Sequence, residues 1–243
     1  MRGIDVTEHG RLVVVEPAAG SETLVAEAAL GGLNALCSEL AIEERVLVVV
    51  LTFGTGSPAL LQNGPGEALA AAVNALANTP HVTIAVLDRD CVDEELCIAV
   101  ACDLRIAAAD VRLGFPGVAA GAVPDETTVR RLTTMMSRSR VADLLFTGRT
   151  ISGSTAAEWN LVEETAAEDT AVERAKAVGQ LICDGAPLAM RYAKEAVDRG
   201  YQMRLQDGLG LEGDLYAILQ TTADRMEGIT AFNERRPPRY VGE

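Results

Sequence analysis

The chain has 243 residues, of which 49% are hydrophobic and 23% are charged, as in a soluble protein of one large domain or two small ones. Its formal net charge is −14 at pH 7. This excess of acid argues against nucleic acid, whose affinity rests on Lys and Arg releasing counterions from phosphates, and against docking on an anionic membrane surface.

Predicted strands and helices alternate along most of the chain. The predicted strands cover residues 12–15, 46–52, 82–87, 104–108 and 161–163, and the predicted helices cover residues 22–40, 67–78, 96–101, 126–136 and 154–159. Two long helical stretches follow, over 170–182 and 188–222, and the second is expected to break near Gly200 and again at 208–210. This order predicts an α/β core over residues 1–180 and a helical region over residues 181–243.

The cysteines indicate a reducing compartment. There are 5 of them without a CxxC pair, and the N-terminus is polar and unlike a signal peptide. We therefore expect reduced thiols and a cytoplasmic protein. With only 2 histidines, we expect no zinc cluster. The longest strongly apolar run, residues 46–51, is far shorter than the ~20 residues needed to span a bilayer.

Several common catalytic motifs are missing. The glycines at 54 and 56 follow a predicted strand but continue into neither a GxGxxG nor a GxxxxGK[ST] phosphate loop. There is no GxSxG elbow, and we interpret His9 and His81 as turn residues rather than catalytic bases. The acidic run 88–95 offers oxygen ligands to a hard cation, but we favour a solvated loop because its charges repel one another.

Asp125 stands between a loop of small residues and a predicted helix. One interpretation is a helix N-cap, which contributes ~1 kcal/mol. The other is a proton-shuttling base that faces a pocket formed by residues 114–121. Spacing alone favours the cap.

Five segments, in register over about four fifths of the chain, resemble one family. They are 101–108 (ACDLRIAA, similar to CDLRIA), 113–124 (LGFPGVAAGAVP, similar to FG-PE-G-P), 131–132 (RL), 144–162 (LLFTGRTI to AEWNLV, similar to LLTG-x-I-A-x-EA-x-x-GLV) and 227–238 (EGITAFNERRPP, similar to EG-x-x-AF-x-EKRPP). The family is the enoyl-CoA hydratase/isomerase, or crotonase, superfamily. The resemblance implies an α/β spiral of ββα units whose C-terminal helices pack subunits into a homotrimer or hexamer. It also implies chemistry on the acyl part of a coenzyme A thioester, with two backbone N–H groups that stabilise an enolate-like oxygen.

The resemblance also locates a candidate site, which departs from that of the hydratases. Their two catalytic glutamates correspond to Cys97 and Gly117 here, so the usual addition of water is not expected. The small residues at these positions, together with Asn63, predict a pocket for a bulky or ring-bearing acyl group. The oxyanion donors implied are the amides of Gln62 and Glu94.

Asp125 gains weight from the same comparison. Residues 121–125, GAVPD, are similar to the GLVPD loop that carries the catalytic base of dienoyl-CoA isomerases and of ring-opening isomerases. A shift of a double bond needs only one base. We therefore predict a double-bond isomerase with Asp125 as its base, no metal, and no cofactor other than the coenzyme A of the substrate.

Two alternatives stay open. One is a non-catalytic protein of this fold that binds acyl-CoA, which is favoured by the acidic residues 93–95 where the family has glycines. The other is a hydratase with an atypical acid/base pair, such as Asp125 with Glu126. Arg235, Arg236 and Arg239 are candidates for binding the phosphates of coenzyme A, against the alternative of ordinary solvated charge.

Overall fold

The computed structural model describes residues 3–19, 21–56, 66–124, 126–167 and 170–243. Within these ranges the strands are β1 (Ile4–His9), β2 (Leu12–Pro17), β3 (Val48–Thr52), β4 (Val82–Leu87), β5 (Cys91–Val92), β6 (Leu104–Ala108), β7 (Arg112–Gly114), β8 (Thr150–Ser152) and β9 (Glu164–Ala166). The helices are α1 (Glu27–Leu40), α2 (Glu67–Asn78), α3 (Glu94–Ala101), α4 (Glu126–Met135), α5 (Arg138–Thr147), α6 (Gly153–Glu158), α7 (Ala171–Cys183), α8 (Pro187–Gly200), α9 (Leu205–Leu219) and α10 (Ala223–Glu234). A 3₁₀ helix covers Pro116–Ala120.

The larger sheet has the strand order β1-β2-β3-β4-β6-β9. Its strands pair in parallel except for the antiparallel β1–β2 hairpin. All five residues of β3 are buried, because helices cover both faces of the sheet. Val49 and Leu51 belong to the core that includes α1 and α2, whereas Val48 and Val50 pack in a second core with the buried residues of α7. Burial of each such side chain contributes roughly 1.5–3 kcal/mol.

The smaller sheet, β5-β7-β8, gives the fold its spiral. A strand of the larger sheet is followed by a short strand of the smaller one and then by a helix, as in β4–β5–α3 and in β6–β7 with the 3₁₀ helix. The ββα units expected from the sequence are therefore present. They place the start of α3 and the start of the 3₁₀ helix after the paired strands β5 and β7.

Several elements differ from those predicted, and the differences at β1 and β9 have a physical reason. Strand β1 was missed because only Ile4 among its residues is buried, so it carries no apolar alternation. His9 therefore ends a strand, in register with Leu12. His81 lies in a bend directly before β4, as expected, and it is buried, with its Nε2 2.7 Å from the Leu40 carbonyl oxygen. The strand predicted at 161–163 lies instead at β9, because Leu161 and Val162 are buried in the core beside α6.

The helical C-terminus agrees in part with its prediction. Helix α8 ends at Gly200 as expected, but Gly208 lies inside α9 and does not break it. A Cβ atom on Gly208 would lie 3.3 Å from the Gly200 carbonyl oxygen, so this glycine lets the two helices approach each other. The division predicted after residue 180 falls within α7, and it stays a prediction.

All five cysteines lie in the described ranges, are buried and form no disulfide there. Burial raises the pKa of the Cys102 thiol to about 12 and that of Cys37 to about 11, so these thiols are poor nucleophiles. Over the same part of the chain, no helix is both long enough and apolar enough to cross a membrane.

Candidate active site

The structure describes three of the six predicted site residues. Glu94 and Cys97 lie in the first turn of α3, and Gly117 lies in the 3₁₀ helix after β7. Gln62, Asn63 and Asp125 lie outside the described residues, so their roles stay predictions. The described part of the site is therefore the meeting point of α3 and the 3₁₀ helix.

Asp93 connects these two elements. It precedes α3 with φ 50° and ψ −114°, a conformation that favours glycine. Its side chain is fully buried, and the Gly117 N–H donates to its carboxylate, at 3.0 Å from Oδ1 and 3.2 Å from Oδ2. Burial raises the pKa of Asp93, and the hydrogen bond from Gly117 opposes that rise.

The space beside Gly117 is filled. A Cβ atom at this position would lie 2.9 Å from Oδ1 and 3.1 Å from Oδ2 of Asp93, closer than side chains approach one another. The carboxylate of Asp93 therefore takes up the volume beside Gly117, and the pocket for a bulky acyl group stays a prediction. Cys97 is also fully buried and packs among core residues, and its amide donates to the Asp93 carbonyl oxygen at 3.0 Å.

The acidic segment is not a solvated loop. Glu95 is fully buried and forms an ion pair with Arg89, at 2.7 Å between Oε1 and Nη2 and 3.0 Å between Oε2 and Nη1. Asp90 pairs with Arg112, at 2.6 Å between Oδ2 and Nη2. The run therefore folds back on basic and backbone partners, which offset the mutual repulsion that we had expected to keep it in solvent. Among the described residues no group of three His, Cys, Asp or Glu side chains is arranged to hold a metal ion.

Arg89 holds two parts of the site together. Besides its bonds to Glu95, its guanidinium donates to the carbonyl oxygens of Phe53 and Gly54, both at 2.6 Å, and of Asp90 at 2.9 Å. Phe53 and Gly54 follow β3 and lead toward the segment that carries Gln62. Sequence reasoning missed this role, because a single arginine among acidic residues gives no sign that it is half-buried.

Residues 93–95 form an acidic turn, of which Glu94 is the half-buried member. Burial raises its pKa, and the neighbouring charges of Asp93 and Glu95 raise it further. Glu94 therefore takes up a proton more readily than an ordinary glutamate does. Its position in the first turn of α3 also places its backbone N–H at the positive end of the helix dipole.

The loop between Gly117 and Asp125 is internally bonded. Gly121 adopts φ 92°, its amide donates to Val118 O at 3.0 Å, and the amide of Ala122 donates to Gly117 O at 3.0 Å. Helix α4 begins directly after Asp125. Gly117, which donates to the Asp93 carboxylate, and this loop therefore lie on one continuous stretch of chain.

The tail arginines differ in their surroundings. The Arg236 guanidinium lies 2.6 Å from carboxylate oxygens of both Glu227 and Glu234. Its hydrogen bonds lower the pKa of Glu227 to about 2. Arg236 is therefore already neutralised, and the proposal of a phosphate site in the tail depends on Arg235 and Arg239.

Comparisons with known proteins agree with this architecture. Residues 54–243 match the family model for enoyl-CoA hydratase/isomerase. Enoyl-CoA hydratase domain-containing protein 2, mitochondrial, of Homo sapiens is 37% identical over 175 residues, which cover 70% of this chain and 60% of that protein. Methylglutaconyl-CoA hydratase, mitochondrial, of Homo sapiens is 34% identical over 177 residues, which cover 71% of this chain and 52% of that protein. A solved enoyl-CoA hydratase from Bacillus anthracis is 28% identical, with a TM-score of 0.89 over 100% of both chains.

The fold is therefore that of the crotonase superfamily, an α/β spiral with C-terminal helices. The chain belongs to the enoyl-CoA hydratase/isomerase family. It spans 60% and 52% of the length of the two human relatives.

Proposed function

We propose that this protein is an isomerase that moves a double bond within an unsaturated acyl-CoA thioester. The observation that carries the proposal is Gly117, where the hydratases of the resemblance have a glutamate. The buried carboxylate of Asp93 fills the space beside it, and Cys97 takes the place of the other glutamate. No pair of carboxylates is thus left at these positions to position and deprotonate a water molecule.

The reaction needs one base and an oxyanion hole. The Asp125 carboxylate takes a proton from a carbon next to the double bond, and the electron pair moves toward the thioester oxygen to form a dienolate. The amides of Gln62 and Glu94 donate to that oxygen, which lowers the barrier because the donors are fixed beforehand. The carboxyl group exchanges its proton with solvent and then protonates a different carbon, so substrate and product have the same formula and the base is regenerated.

The acidic turn is compatible with this chemistry because its surroundings offset the repulsion between its carboxylates and the oxyanion. A carboxylate about 4 Å from a developing oxyanion opposes it by roughly 1–4 kcal/mol, depending on screening. Glu95 is neutralised by Arg89, and Asp93 accepts a hydrogen bond from Gly117. The raised pKa of Glu94, caused first by burial and then by its acidic neighbours, favours its uncharged form.

Two other functions have specific support. The names of the human relatives favour a hydratase, which would have to use Asp125 with Glu126 in place of the usual glutamates. The acidic turn favours a protein that binds acyl-CoA without converting it. The cytoplasmic location expected from the sequence stays a prediction, and the mitochondrial names of those relatives do not support it.

A homotrimer or hexamer is part of the proposal. Large apolar side chains stay exposed on α8 to α10 and in the turn between α8 and α9: Val197, Tyr201, Leu205, Leu209, Tyr216, Met226, Ile229 and Phe232. Exposed apolar side chains that form a patch mark an interaction surface, and we propose that these form the interface between subunits. The acyl-CoA ligand is proposed to bind at the start of α3, with no separate cofactor.

Deuterium exchange tests the proposal. The protein is incubated with a 3-enoyl-CoA in D₂O, and deuterium at carbons 2 and 4 is followed by NMR in the wild type, in Asp125→Asn and in the control Asp110→Asn, an exposed aspartate between β6 and β7. We expect double-bond migration with deuterium incorporation in the wild type and the control, and loss of both in Asp125→Asn. Binding without exchange over several acyl groups would instead support the non-catalytic function.

A further inference from the structure

We propose that Asp93 is a positioning residue whose buried carboxylate, held on the Gly117 amide, fixes the orientation of the peptide between residues 93 and 94. This inference rests on the proposed function, in which the N–H of that peptide is an oxyanion donor. It assigns a role to a residue that lies at neither hydratase glutamate position.

The backbone of Asp93 needs an external restraint. At φ 50° and ψ −114° a residue with a Cβ atom is strained by about 1–3 kcal/mol. The ψ angle of residue 93 sets the plane of the peptide that carries the Glu94 N–H. If residue 93 relaxed to an ordinary conformation, that N–H would point elsewhere.

Three hydrogen bonds supply the restraint. The Asp93 amide donates to Gly114 O at 3.0 Å, and the Asp93 carbonyl oxygen accepts from the Cys97 amide at 3.0 Å. The carboxylate accepts from the Gly117 amide at 3.0 Å and 3.2 Å. Only the last of these bonds depends on the side chain, so substitution of Asp93 can test it separately.

Asp93 and Gly117 fit each other sterically. The hydrogen bond requires the carboxylate to lie where a Cβ of residue 117 would be, at 2.9 Å to 3.1 Å. A side chain at 117 would therefore push the carboxylate off the amide. The pair also fastens α3 to the loop that runs through Ala122 toward Asp125, because the Ala122 amide donates to Gly117 O at 3.0 Å.

A direct role in proton transfer is the main competing interpretation of this buried carboxyl group. Four variants separate it from positioning. Asp93→Asn keeps an oxygen acceptor for Gly117 but does not carry a proton, and Asp93→Gly adopts the same backbone angles without strain. Asp93→Ala keeps the strain and loses the acceptor. Gly117→Ala introduces a clash between its Cβ atom and the Asp93 carboxylate. The double variant Asp93→Gly with Gly117→Ala removes that clash.

The readout is the absorbance of a bound conjugated enoyl-CoA, hexadienoyl-CoA, whose band moves to longer wavelength when its carbonyl is polarised. We expect a red shift in the wild type that Asn and Gly at position 93 preserve and that Asp93→Ala and Gly117→Ala lose. Isomerase kcat should fall about 10- to 100-fold in the latter two with little change in KM, less than the roughly 100- to 1000-fold loss when an oxyanion donor is removed outright. The double variant should recover both signals.

Several outcomes would overturn the inference. Equal loss of kcat in Asn, Gly and Ala variants, with a changed pH profile in Asp93→Asn, would show that the carboxyl group carries the proton. An unchanged red shift in Asp93→Ala or Gly117→Ala would show that no positioning is needed, as would a bound probe without any red shift in the wild type. A red shift without turnover in the wild type would instead refute the isomerase and leave the positioning role in place. If the wild type binds no acyl-CoA, both the positioning role of Asp93 and the proposed isomerase function are refuted.

Discussion

The Arg89 guanidinium and the Glu95 carboxylate form a buried ion pair in which every N–H of the arginine is used. Two of these N–H groups donate to the two carboxylate oxygens of Glu95, and the other three donate to backbone carbonyl oxygens. Burial alone would lower the pKa of Arg89, but its hydrogen bonds and the charge of Glu95 raise it. Burial raises the pKa of Glu95, and the hydrogen bond and charge of Arg89 oppose that rise. The pair ties the end of β3 to the start of α3.

Removal of this arginine should be costly. Arg89→Ala leaves Glu95 as an unpaired buried charge, so the free energy of unfolding should fall by about 3–5 kcal/mol. The matched control is Arg112→Ala, whose side chain is 70% exposed and pairs with Asp90, and whose effect should stay within about 1 kcal/mol. Urea unfolding followed by circular dichroism compares the two, and equal losses would contradict the role given to Arg89.

Glu94 should make stability dependent on pH. Its folded pKa is raised above the ordinary value of 4.5, by burial first and then by Asp93 and Glu95. Its contribution is therefore fully present below the unfolded pKa and is lost as the pH rises through the folded pKa. Glu94→Gln should raise the melting temperature relative to wild type at pH 7, and this gain should shrink toward pH 4.

A second glutamate provides the control for this effect. Glu67 also occupies the first position of a helix, α2, but is exposed. Glu67→Gln should change the melting temperature little and with little dependence on pH. A gain for Glu94→Gln that is the same at pH 4 and pH 7 would be inconsistent with a raised pKa.

The exposed apolar side chains of the C-terminal helices should mediate assembly. Phe232 on α10 is 83% exposed, and Phe232→Asp should shift a trimer or hexamer toward monomer because it places a charge in an apolar interface. Ile42, which is 88% exposed after α1, supplies the control Ile42→Asp, and this variant should assemble like the wild type. Light scattering coupled to size exclusion measures both masses, and a monomeric wild type would refute the assembly.

Much of the fold could be predicted from the sequence because it follows from apolar patterning. The bounds of α2, β4 and β6 agree with those predicted, since each has a buried face or a continuous apolar run between clear turn signals. Asn160, which follows α6, adopts the left-handed conformation that asparagine tolerates at the end of a helix, at φ 63°. Strand β1 could not be found in this way, because its stability comes from pairing with β2.

The site was less predictable because it depends on contacts between distant residues. Cys97 and Gly117 could be located by motif spacing, but not the carboxylate of Asp93 that reaches Gly117 from 24 positions away. The apolar pattern predicts one polar loop over residues 88–95. In the structure Glu95 forms a buried ion pair, Asp93 accepts a hydrogen bond from Gly117, and Asp90 forms an exposed ion pair. These partners are set by the packing of β5 against β7, which no local signal encodes.

The most direct test of the central claim is the mass of the product formed from a 3-enoyl-CoA in water labelled with both deuterium and oxygen-18. Isomerisation exchanges only hydrogen with the solvent, because no step adds water to the acyl chain. We predict a conjugated 2-enoyl-CoA that carries deuterium and no oxygen-18. A hydroxyacyl-CoA that contains oxygen-18 as the first product would contradict the isomerase and identify a hydratase.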